Sequence, residues 1–540
     1  MSYIHSGQTL ESTVPFFVGI IGHRHLREEE IPRLQHEFDS HIKSLLARLK
    51  HTKIVVLTGN AEGADRIPQT SQHRNHFSIC AALPFSKNEY VRDFPSKNQR
   101  ATFEESLSQC DHIVISPHSP TGKFTATLRD KSYQESARWI SDNSNLLIGF
   151  WDGLEPRGIG GTSDTISYRM SDISTRKFVH ESESGFIHIK ASNGERNFHE
   201  NCKCAGHEIV NAQYEKFLDE LDNLNSLIEP SKITPERNQL KLFFYQFDTG
   251  ATTLQKRFNR RTISIFACAF LTVQFAFIQQ QTFSLLWLSL SALAMLVTGT
   301  QWWSLWRLRI KSSYETLRFV AEFLRIQIWW DECGLKLNAF NDNVGYHDIR
   351  DSTYSLLKNV FLYSTISQPE IGLIGKPLER EKSKGAESKW IEDQMKYLIG
   401  SEISLGAIAR NRIAAKRGLV FALVSLVLAG IIQVLSTVIS WFNVIETGSS
   451  LDWALKMVFP FLLSIAAYVA AYAKLMGYKE VKILYELKLR RLEIGLAQLR
   501  SLDPKDDSGP IVKSVGSASL TESLRWFQLK GDRELRPFQT

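Results

Sequence analysis

Four long apolar stretches constrain the fold of this chain more than any other feature of its sequence. They are Thr262–Ile278, Thr282–Trp306, Gly418–Phe442 and Trp453–Ala473, and within them Lys456 alone carries a formal charge. A helix that crosses a bilayer needs about 20 apolar residues. The short connections "QQQ" and "NVIETGSS" join the stretches two by two. The sequence therefore predicts an all-α membrane domain with two transmembrane helical hairpins. The alternative is four buried helices of a large soluble protein.

Basic residues flank the outer ends of both predicted hairpins, whereas the two hairpin loops contain no Lys or Arg. Cytoplasmic loops of membrane proteins carry an excess of these residues. We therefore expect a multi-pass protein with both termini and the central segment in the cytoplasm. The flanking basic residues are Lys256, Arg257, Arg260, Arg261, Arg307, Arg309, Lys311, Arg410, Arg412, Lys416, Arg417, Lys474, Lys479 and Lys482.

Composition narrows the class of protein further. The formal net charge is +7 over 540 residues, a mild excess that predicts no nucleic-acid partner. The six cysteines are scattered, as is typical of a reducing compartment. The first residues, "MSYIHSGQTLESTVPFF", lack the basic and apolar regions of a signal peptide, so we expect a cytosolic N-terminal part.

The second halves of the two hairpin units repeat at an offset of 171 residues. In the pairs that this offset matches, Tyr314 aligns with Tyr485 and Glu322 with Glu493. Both stretches place apolar residues at alternating steps of three and four, which predicts an apolar seam on a helix. The pattern leaves open whether the partner of each seam lies within the chain or in a second copy. The seam residues are Tyr314, Leu317, Ala321, Leu324 and Ile328 in the first copy, and Tyr485, Leu489, Leu492, Leu496 and Leu499 in the second.

Residues 15 to about 165 alternate apolar runs with helical patterns. The runs are "PFFVGIIG", "KIVVLTG", "FSICAALPF", "DHIVIS" and "NLLIGFWD", and an amphipathic pattern separates the first two. Buried runs that alternate with helices predict a parallel sheet covered on both faces. The N-terminal fold class is therefore α/β, and ligands of such sheets bind beyond the carboxyl ends of the strands.

Three glycine-rich polar stretches lie at or just after predicted strand ends. Glycine lets the backbone approach a ligand closely, and a helix N-terminus that follows offers N–H groups to a phosphate. The Arg24 guanidinium suits a bidentate phosphate contact. These features predict a nucleotide site; the alternative is that the glycines make tight turns and that Asp65 caps a helix. The candidate ligand-binding residues are Gly22, His23, Arg24, Gly59, Asn60, Glu62, Gly63, Asp65, Gly160, Gly161, Thr162 and Ser163.

A further cluster offers metal-ligand chemistry. The segment "FHENCKCAGH" contains His199, Cys202, Cys204 and His207, residue types that suit zinc. Its spacing is cramped and resembles no common zinc finger. We therefore expect no metal and retain these residues as a weaker alternative.

Taken together, "VGIIGHR", "VVLTGNAEGADR", "ALPFSKNEYVRDF" and "GGTSDT" resemble a SLOG domain, the Rossmann-like nucleotide-binding fold of LOG-type proteins. The stretch "WIEDQMKYLIGSEISLGAIARNRIAAKRG", which runs into the third apolar stretch, resembles SLATT, a two-helix membrane effector domain. The unit at 236–335 is similar to it. The resemblance implies a place in bacterial conflict or antiphage systems, in the cell's inner membrane. It also implies a head that senses a nucleotide-derived signal and a membrane part that forms a pore or disrupts the bilayer.

One departure from the family pattern bears on catalysis. Enzymatic LOG proteins carry Gly-Gly-x-Gly-Thr-x-x-Glu, whereas this chain has "GGTSDT" from Gly160, which lacks the second glycine spacing and has no clear counterpart of the Glu. We therefore expect a sensor without catalytic residues. The alternative is a membrane-tethered nucleotide or nucleoside-phosphate glycosidase that uses Glu62 or Asp65.

The resemblance also sets the expected partners and domain boundaries. We expect no cofactor; the expected ligand is a cyclic oligonucleotide or an ADP-ribose derivative, and the other partners are the lipid bilayer and further copies of the chain. The predicted boundaries are a tail at 1–14, a SLOG-like domain at 15–230, SLATT-like units at 236–345 and 386–500, a linker at 346–385 and a tail at 501–540.

Overall fold

The computed structural model divides the chain into two compact units, which we describe separately. The N-terminal unit comprises Met1–Phe247 and Lys336–Arg380, and the helical unit comprises Asp248–Leu335 and Glu381–Thr540. The structure describes residues 13–115, 125–155, 159–170, 185–194, 208–210, 212–228, 238–335, 337–340, 351–367, 385–401, 403–442, 449–503 and 506–531.

The N-terminal unit is built on one sheet. Its first six strands are parallel and the seventh is antiparallel, as predicted for an α/β domain. Nearly every residue of the central strands is buried, because helices cover both faces. The strands are β1 Phe16–Gly22, β2 Ile54–Thr58, β3 Phe77–Leu83, β4 His112–Ile115, β5 Leu146–Trp151, β6 Gly185–Lys190 and β7 Glu208–Ile209.

Helices follow the strands in the N-terminal unit and make up nearly all of the helical unit. The first amphipathic pattern of the sequence forms α1, which buries Leu34, Phe38, Ile42 and Leu45 as its spacing predicts. The helices are α1 Ile31–Arg48, α2 Lys87–Tyr90, α3 Lys97–Ser108, α4 Ala126–Asn143, α5 Thr162–Met170, α6 Ala212–Leu227, α7 Gln239–Thr282, α8 Leu285–Arg307, α9 Ile310–Glu332, α10 Asp351–Ile366, α11 Ala386–Ile399, α12 Ala407–Trp441, α13 Ser450–Met476, α14 Tyr478–Ser501 and α15 Gly509–Gly531.

The strand order determines where a ligand can enter. It runs β4-β3-β2-β1-β5-β6-β7, so the chain moves outwards from β1 to β4 and then crosses back to place β5 on the other side of β1. This reversal is a topological switch point, and it leaves a crevice beyond the carboxyl ends of β1 and β5. Gly22 and Trp151 end these two strands.

One helix of the N-terminal unit comes from the part of the sequence that separates the two pairs of apolar helices. We predicted a linker at 346–385, but the structure places α10 there, packed on α4, α6 and β4. The Asn359 amide donates to the Pro15 carbonyl and to Asn145 Oδ1, each at 2.9 Å, and all of these groups are buried. Asn145 Oδ1 also accepts from the Phe17 amide at 2.9 Å. The segment therefore completes the core of the N-terminal unit, which we call the head. It packs there because its own apolar residues need to be buried.

Among the described residues, four helices are long and apolar enough to cross a membrane. In their most apolar windows, at most 11% of the residues are buried within the chain. This low burial disfavours the alternative of four buried helices in a soluble protein, because such helices would be covered by other parts of the protein. The length and apolar composition of the four helices indicate a membrane protein.

Side-chain contacts show how neighbouring apolar helices run. Between α7 and α8, Arg261 donates to Ser304 Oγ at 2.9 Å and Ser291 donates to the Thr272 carbonyl at 3.1 Å. Residue numbers rise along one helix as they fall along the other, so the two helices are antiparallel. Between α12 and α13, a Cβ added at Gly418 would lie 3.3 Å from the Ala473 Cβ, which pairs the start of one helix with the end of the next.

The apolar seam of α9 finds its partner within the chain. Its Leu317, Ala321 and Leu324 are fully buried. The Tyr314 ring lies 5.6 Å from the Phe258 ring of α7, and a Cβ added at Gly250 of α7 would lie 3.2 Å from Leu317 Cδ1, so the seam packs on α7. On the opposite face of α9, Phe319 stacks on Phe527 with 4.7 Å between ring centroids, and Trp330 Nε1 donates to the Val512 carbonyl at 3.3 Å. Both of these partners lie in α15, a helix that we had predicted as part of a tail at 501–540.

Candidate functional site

A cavity of about 450 Å³ opens at the switch point, a volume within the range of small-molecule sites. All three predicted glycine-rich stretches contribute to its wall. Nine of the twelve predicted ligand-binding residues line it: Gly22, His23, Arg24, Gly59, Asp65, Gly160, Gly161, Thr162 and Ser163.

Gly22 lets three parts of the chain meet at the cavity floor. A Cβ at this position would overlap the Ala64 Cβ and would lie 2.7 Å from the Phe150 Cβ. The main chain of β1, β5 and the turn after β2 therefore approach more closely than a side chain allows. This approach places the residues after each strand around one cavity.

His23 and Asp152 form a polar pair between the ends of β1 and β5. The Asp152 amide donates to His23 Nε2 at 3.0 Å, and Asp152 Oδ1 lies 3.2 Å from the same nitrogen. Both side chains are almost fully buried. A nitrogen that accepts from the amide cannot also donate to the carboxylate, so the protonation state of His23 selects between the two contacts.

Arg24 supplies an accessible positive charge at the cavity. Its side chain is exposed, and its guanidinium carbon lies 4.8 Å from the centre of the Tyr133 ring. Among the described residues, no carboxylate lies within ion-pair distance of it. Partial burial lowers the pKa of Arg24, but the phenolic oxygens of Tyr90 and Tyr133 and the Asp65 carboxylate outweigh this, so the net shift is upward. The guanidinium is thus a permanent cation that is available to an anion.

Asp65 is one of three acidic residues that line the cavity, with Asp152 and Glu155. Its Oδ2 accepts from the Ala61 amide at 3.1 Å, and its carbonyl accepts from Thr58 Oγ1 at 2.8 Å. Burial raises the pKa of the carboxyl to about 6, although the Ala61 hydrogen bond and the charges of Arg24 and Arg66 act in the opposite direction. Asp65 caps no helix, because it binds the turn that precedes its own short 3-10 helix, Gly63–Thr70.

The N-terminus of α5 forms another wall. Gly160 has φ +78°, and its amide donates to Asp164 Oδ2 at 3.0 Å. Ser163 Oγ donates to the Leu154 carbonyl at 2.9 Å, which fixes the first turn of the helix. The first amides of a helix have no partner within the helix and carry partial positive charge. Gly161 and Thr162 line the cavity at this end, so it suits a phosphate or carboxylate.

Three predicted site residues do not line the cavity. Asn60 is fully buried, and its Oδ1 accepts from Ser106 Oγ and Gln69 Nε2. Gly63 has φ +75°, and a Cβ there would overlap the His23 and Arg24 carbonyls, so its role is to close the turn. Glu62 Oε2 accepts from Gln99 Nε2 at 3.5 Å. These residues build the loop around the site.

The structure adds lining residues that the sequence pattern did not indicate. Tyr90, Tyr133 and Trp151 bring aromatic rings to the cavity, and Asp152 and Glu155 bring two further carboxylates. Asp152 directly follows a predicted strand, and Tyr90 lies in the stretch "ALPFSKNEYVRDF", so the sequence offered a signal for both. Tyr133 comes from a helical segment whose spacing carries no such signal, and only the packing of the fold reveals it.

The predicted metal cluster lies outside the described residues. His199, Cys202, Cys204 and His207 all fall within 195–207. In the part of the chain that the structure describes, no group of three or more His, Cys, Asp or Glu side chains is arranged to hold a metal ion.

We expect the charge of Asp65 to destabilise the head as the pH rises. Its pKa is 3.8 in the reference state and about 6 in the fold, so the folded state holds the proton more tightly. The resulting stabilisation is complete below pH about 4 and is lost as the pH rises through about 6. Asp65→Asn should therefore gain stability relative to wild type between these values. Pulse proteolysis in urea, performed on the full-length protein in detergent, measures this difference; a difference that does not vary with pH would contradict the assignment.

Comparisons with protein-family models, with curated proteins and with solved structures found no match for this chain. The function is therefore argued from the geometry of the cavity and from the apolar helices.

Proposed function

We propose that the protein is a nucleotide-sensing membrane effector. Its cytosolic head binds a nucleotide-derived signal in the switch-point cavity, and binding gates pore formation or membrane disruption by the apolar helices. One observation carries the proposal: Arg24, which forms no ion pair with a carboxylate among the described residues, and the N-terminus of α5 line the same cavity. Both favour an anion, and the surrounding aromatic rings suit a base or a ribose.

The phosphate of the ligand is placed between Arg24 and the first turn of α5. Glycines at 22, 59, 160 and 161 keep the walls free of side chains where the phosphate approaches the backbone. Asp65 then lies on the β2 side of the cavity, where its carboxylate is an acceptor for ribose hydroxyls or for the edge of a base. By resemblance to SLOG domains, the ligand is a cyclic oligonucleotide or an ADP-ribose derivative.

The membrane part consists, in this proposal, of two transmembrane hairpins, α7–α8 and α12–α13. Their antiparallel contacts and the basic residues outside both hairpin loops support it. We assign both termini to the cytoplasm of a bacterial cell and both hairpins to its inner membrane. Two hairpins enclose little space by themselves, so we expect several copies to assemble around a pore.

This topology predicts which positions an impermeant thiol reagent labels in intact cells. In a background without native cysteines, Gln280→Cys and Ser449→Cys should be labelled from outside, because Gln280 lies near the end of α7 and Ser449 is the N-cap of α13, each beside a hairpin loop without basic residues. Ser514→Cys, an exposed position in α15, should be labelled only after lysis. The inverse pattern would reverse the orientation, and three equally labelled positions would contradict membrane insertion.

Replacement of Arg24 tests the sensor. AMP and adenosine differ by one phosphate, and we expect the full-length protein to bind AMP more tightly. Arg24→Ala should weaken AMP binding about tenfold to a hundredfold, the range for a hydrogen bond to a charged group, and leave adenosine binding unchanged. Isothermal titration in detergent gives both constants. If wild type does not distinguish AMP from adenosine, the phosphate site is wrong.

The effector step needs a separate measurement. Protein in dye-filled liposomes, with the head outside, is exposed to ADP-ribose and to cyclic dinucleotides. We expect one of these ligands to release dye from wild type and not from Arg24→Ala, because a ligand shifts a conformational equilibrium only through differential binding. Equal release of dye by wild type and Arg24→Ala would show that leakage does not depend on ligand binding in the cavity.

The second candidate is a membrane-tethered nucleotide glycosidase. One observation favours it: Asp65 lines the cavity and has a pKa of about 6, near the pH at which an acid-base group works. Glu62, the other candidate residue, does not line the cavity. Incubation with NAD and nucleoside monophosphates separates the two functions. Release of free base, lost in Asp65→Asn, supports the enzyme, whereas stabilisation without turnover supports the sensor.

A further inference from the structure

A chain of polar contacts leads from the exposed Arg24 guanidinium into the protein. The guanidinium lies over the Tyr133 ring, and the Tyr133 hydroxyl donates to Asp93 Oδ2. Asp93 Oδ1 in turn accepts from Arg129, whose other nitrogen donates to Glu89. Five side chains are thereby joined, two of them from α4, and Arg24 and Tyr133 are the two that line the cavity.

We propose that Asp93, acting through Tyr133, is a positioning residue that aims the Arg24 guanidinium at the phosphate of the ligand. The inference rests on the proposed nucleotide site. It assigns a role to two residues that the sequence pattern did not single out. Asp93 itself does not line the cavity and contacts it only through Tyr133.

Arg24 needs such support because of its chemistry. A free arginine side chain loses conformational entropy when it is held in one geometry. A ring beneath the guanidinium restricts it before the ligand arrives, and the cation–π attraction favours the face-on position. The remaining N–H groups at the edge of the guanidinium stay accessible to an anion. Because the Arg24 side chain is already ordered, its loss of conformational entropy does not weaken ligand binding.

Tyr133 is held at both ends. Its ring packs edge-on against Phe85, with 5.3 Å between centroids, and against Tyr90 at 6.0 Å. Its hydroxyl is fixed by Asp93, and Arg129 holds Asp93 while its guanidinium lies 4.5 Å from the centre of the Phe85 ring. The negative charge of Asp93 also polarises the Tyr133 hydroxyl, which makes the ring more electron-rich towards Arg24.

A purely structural role is the alternative, since Tyr133 also belongs to an aromatic cluster. Tyr133→Phe keeps the ring in that cluster and removes only the hydroxyl. Asp93→Asn keeps the shape of the carboxylate and removes its charge. Arg92→Gln is the matched control, because Arg92 is exposed and pairs with Glu89 without reaching Tyr133. The readout is the preference for AMP over adenosine, which a general loosening of the fold would not change selectively.

The experiment measures AMP and adenosine binding by titration of the full-length protein in detergent. We expect Tyr133→Phe and Asp93→Asn to weaken AMP binding about fivefold to tenfold, less than Arg24→Ala, with adenosine binding and the control unchanged. Asp93→Glu, which restores a carboxylate, should recover part of the loss. Asp93→Asn leaves Arg129 with Glu89 as a partner; if that variant nevertheless fails to fold, Tyr133→Phe decides the matter alone.

Two results would overturn the inference. Equal weakening for AMP and adenosine would assign Tyr133 and Asp93 to the fold alone, and unchanged AMP binding would show that Arg24 needs no support. The proposed function fails separately. A wild type that does not prefer AMP removes the phosphate site and this inference with it. If Arg24→Ala loses the preference but the other variants keep it, only the inference fails.

Discussion

Gly22→Ala is expected to destabilise the N-terminal unit by about 3 kcal/mol, the upper part of the range for overpacking a tight site. The added Cβ would overlap the Ala64 Cβ and would lie 3.0 Å from the Phe150 carbonyl oxygen. Neither group is the end of a flexible side chain, so β1 and β5 must separate. Hydrogen exchange of the full-length protein in detergent reports the change as faster exchange in the peptides that contain β1 and β5.

Gly59→Ala is the matched control at the same edge of the sheet. Its added Cβ would lie 2.8 Å from Asp65 Oδ2, an atom that a side-chain rotation can move. We expect a loss of less than about 1 kcal/mol, with the folded head retained. Equal destabilisation by both variants would show that the close approach at Gly22 is not what holds the cavity floor together.

Glu322→Gln is expected to destabilise the helical unit by about 3 kcal/mol. Its carboxylate, 13% exposed, lies 3.0 Å from nitrogens of both Arg318 and Arg325. Asp248 lies 2.6 Å from Arg318 and 3.4 Å from Arg325, so two acids balance two bases across α7 and α9. Removal of one charge leaves poorly hydrated guanidinium groups underpaired, which is more costly than the loss of a surface pair. Thermal unfolding in detergent, followed by helical circular dichroism, measures the loss.

Glu392→Gln removes the same carboxylate charge from an ion pair that water screens. Glu392 and Arg500 lie 3.0 Å apart, but both side chains are at least half exposed. An exposed pair contributes about 0–1 kcal/mol, so the unfolding midpoint should move little. A larger shift for Glu392→Gln than for Glu322→Gln would contradict the view that burial decides the contribution of each pair.

The repeat in the sequence shows why aligned residues need not share a role. Glu322 and Glu493 occupy equivalent positions at the offset of 171, yet Glu322 is mostly buried between two arginines and Glu493 is exposed. The first seam packs on α7, and α15 covers the opposite face of the same helix. The pattern of apolar residues predicted both helices, but their environments depend on which neighbour packs there.

The sequence alone determined the elements and their class. The apolar runs predicted β1 to β5, and the glycines after them marked the edge of the sheet where the cavity opens. The four apolar stretches predicted the four long helices. These features are local: a strand or helix follows from the period and length of its own apolar residues, and a glycine turn follows from a conformation that few other residues adopt.

Only the tertiary structure decided which distant residues meet. Tyr133 reaches Arg24 from another element and is held there by Asp93, Asn359 enters the core of the head from more than 300 residues away, and α15 covers the face of α9 opposite its seam. No local period encodes such contacts, because they depend on the complementary shape and polarity of two surfaces. The sequence thus predicted a site at the end of the sheet, and packing selected the residues that surround it.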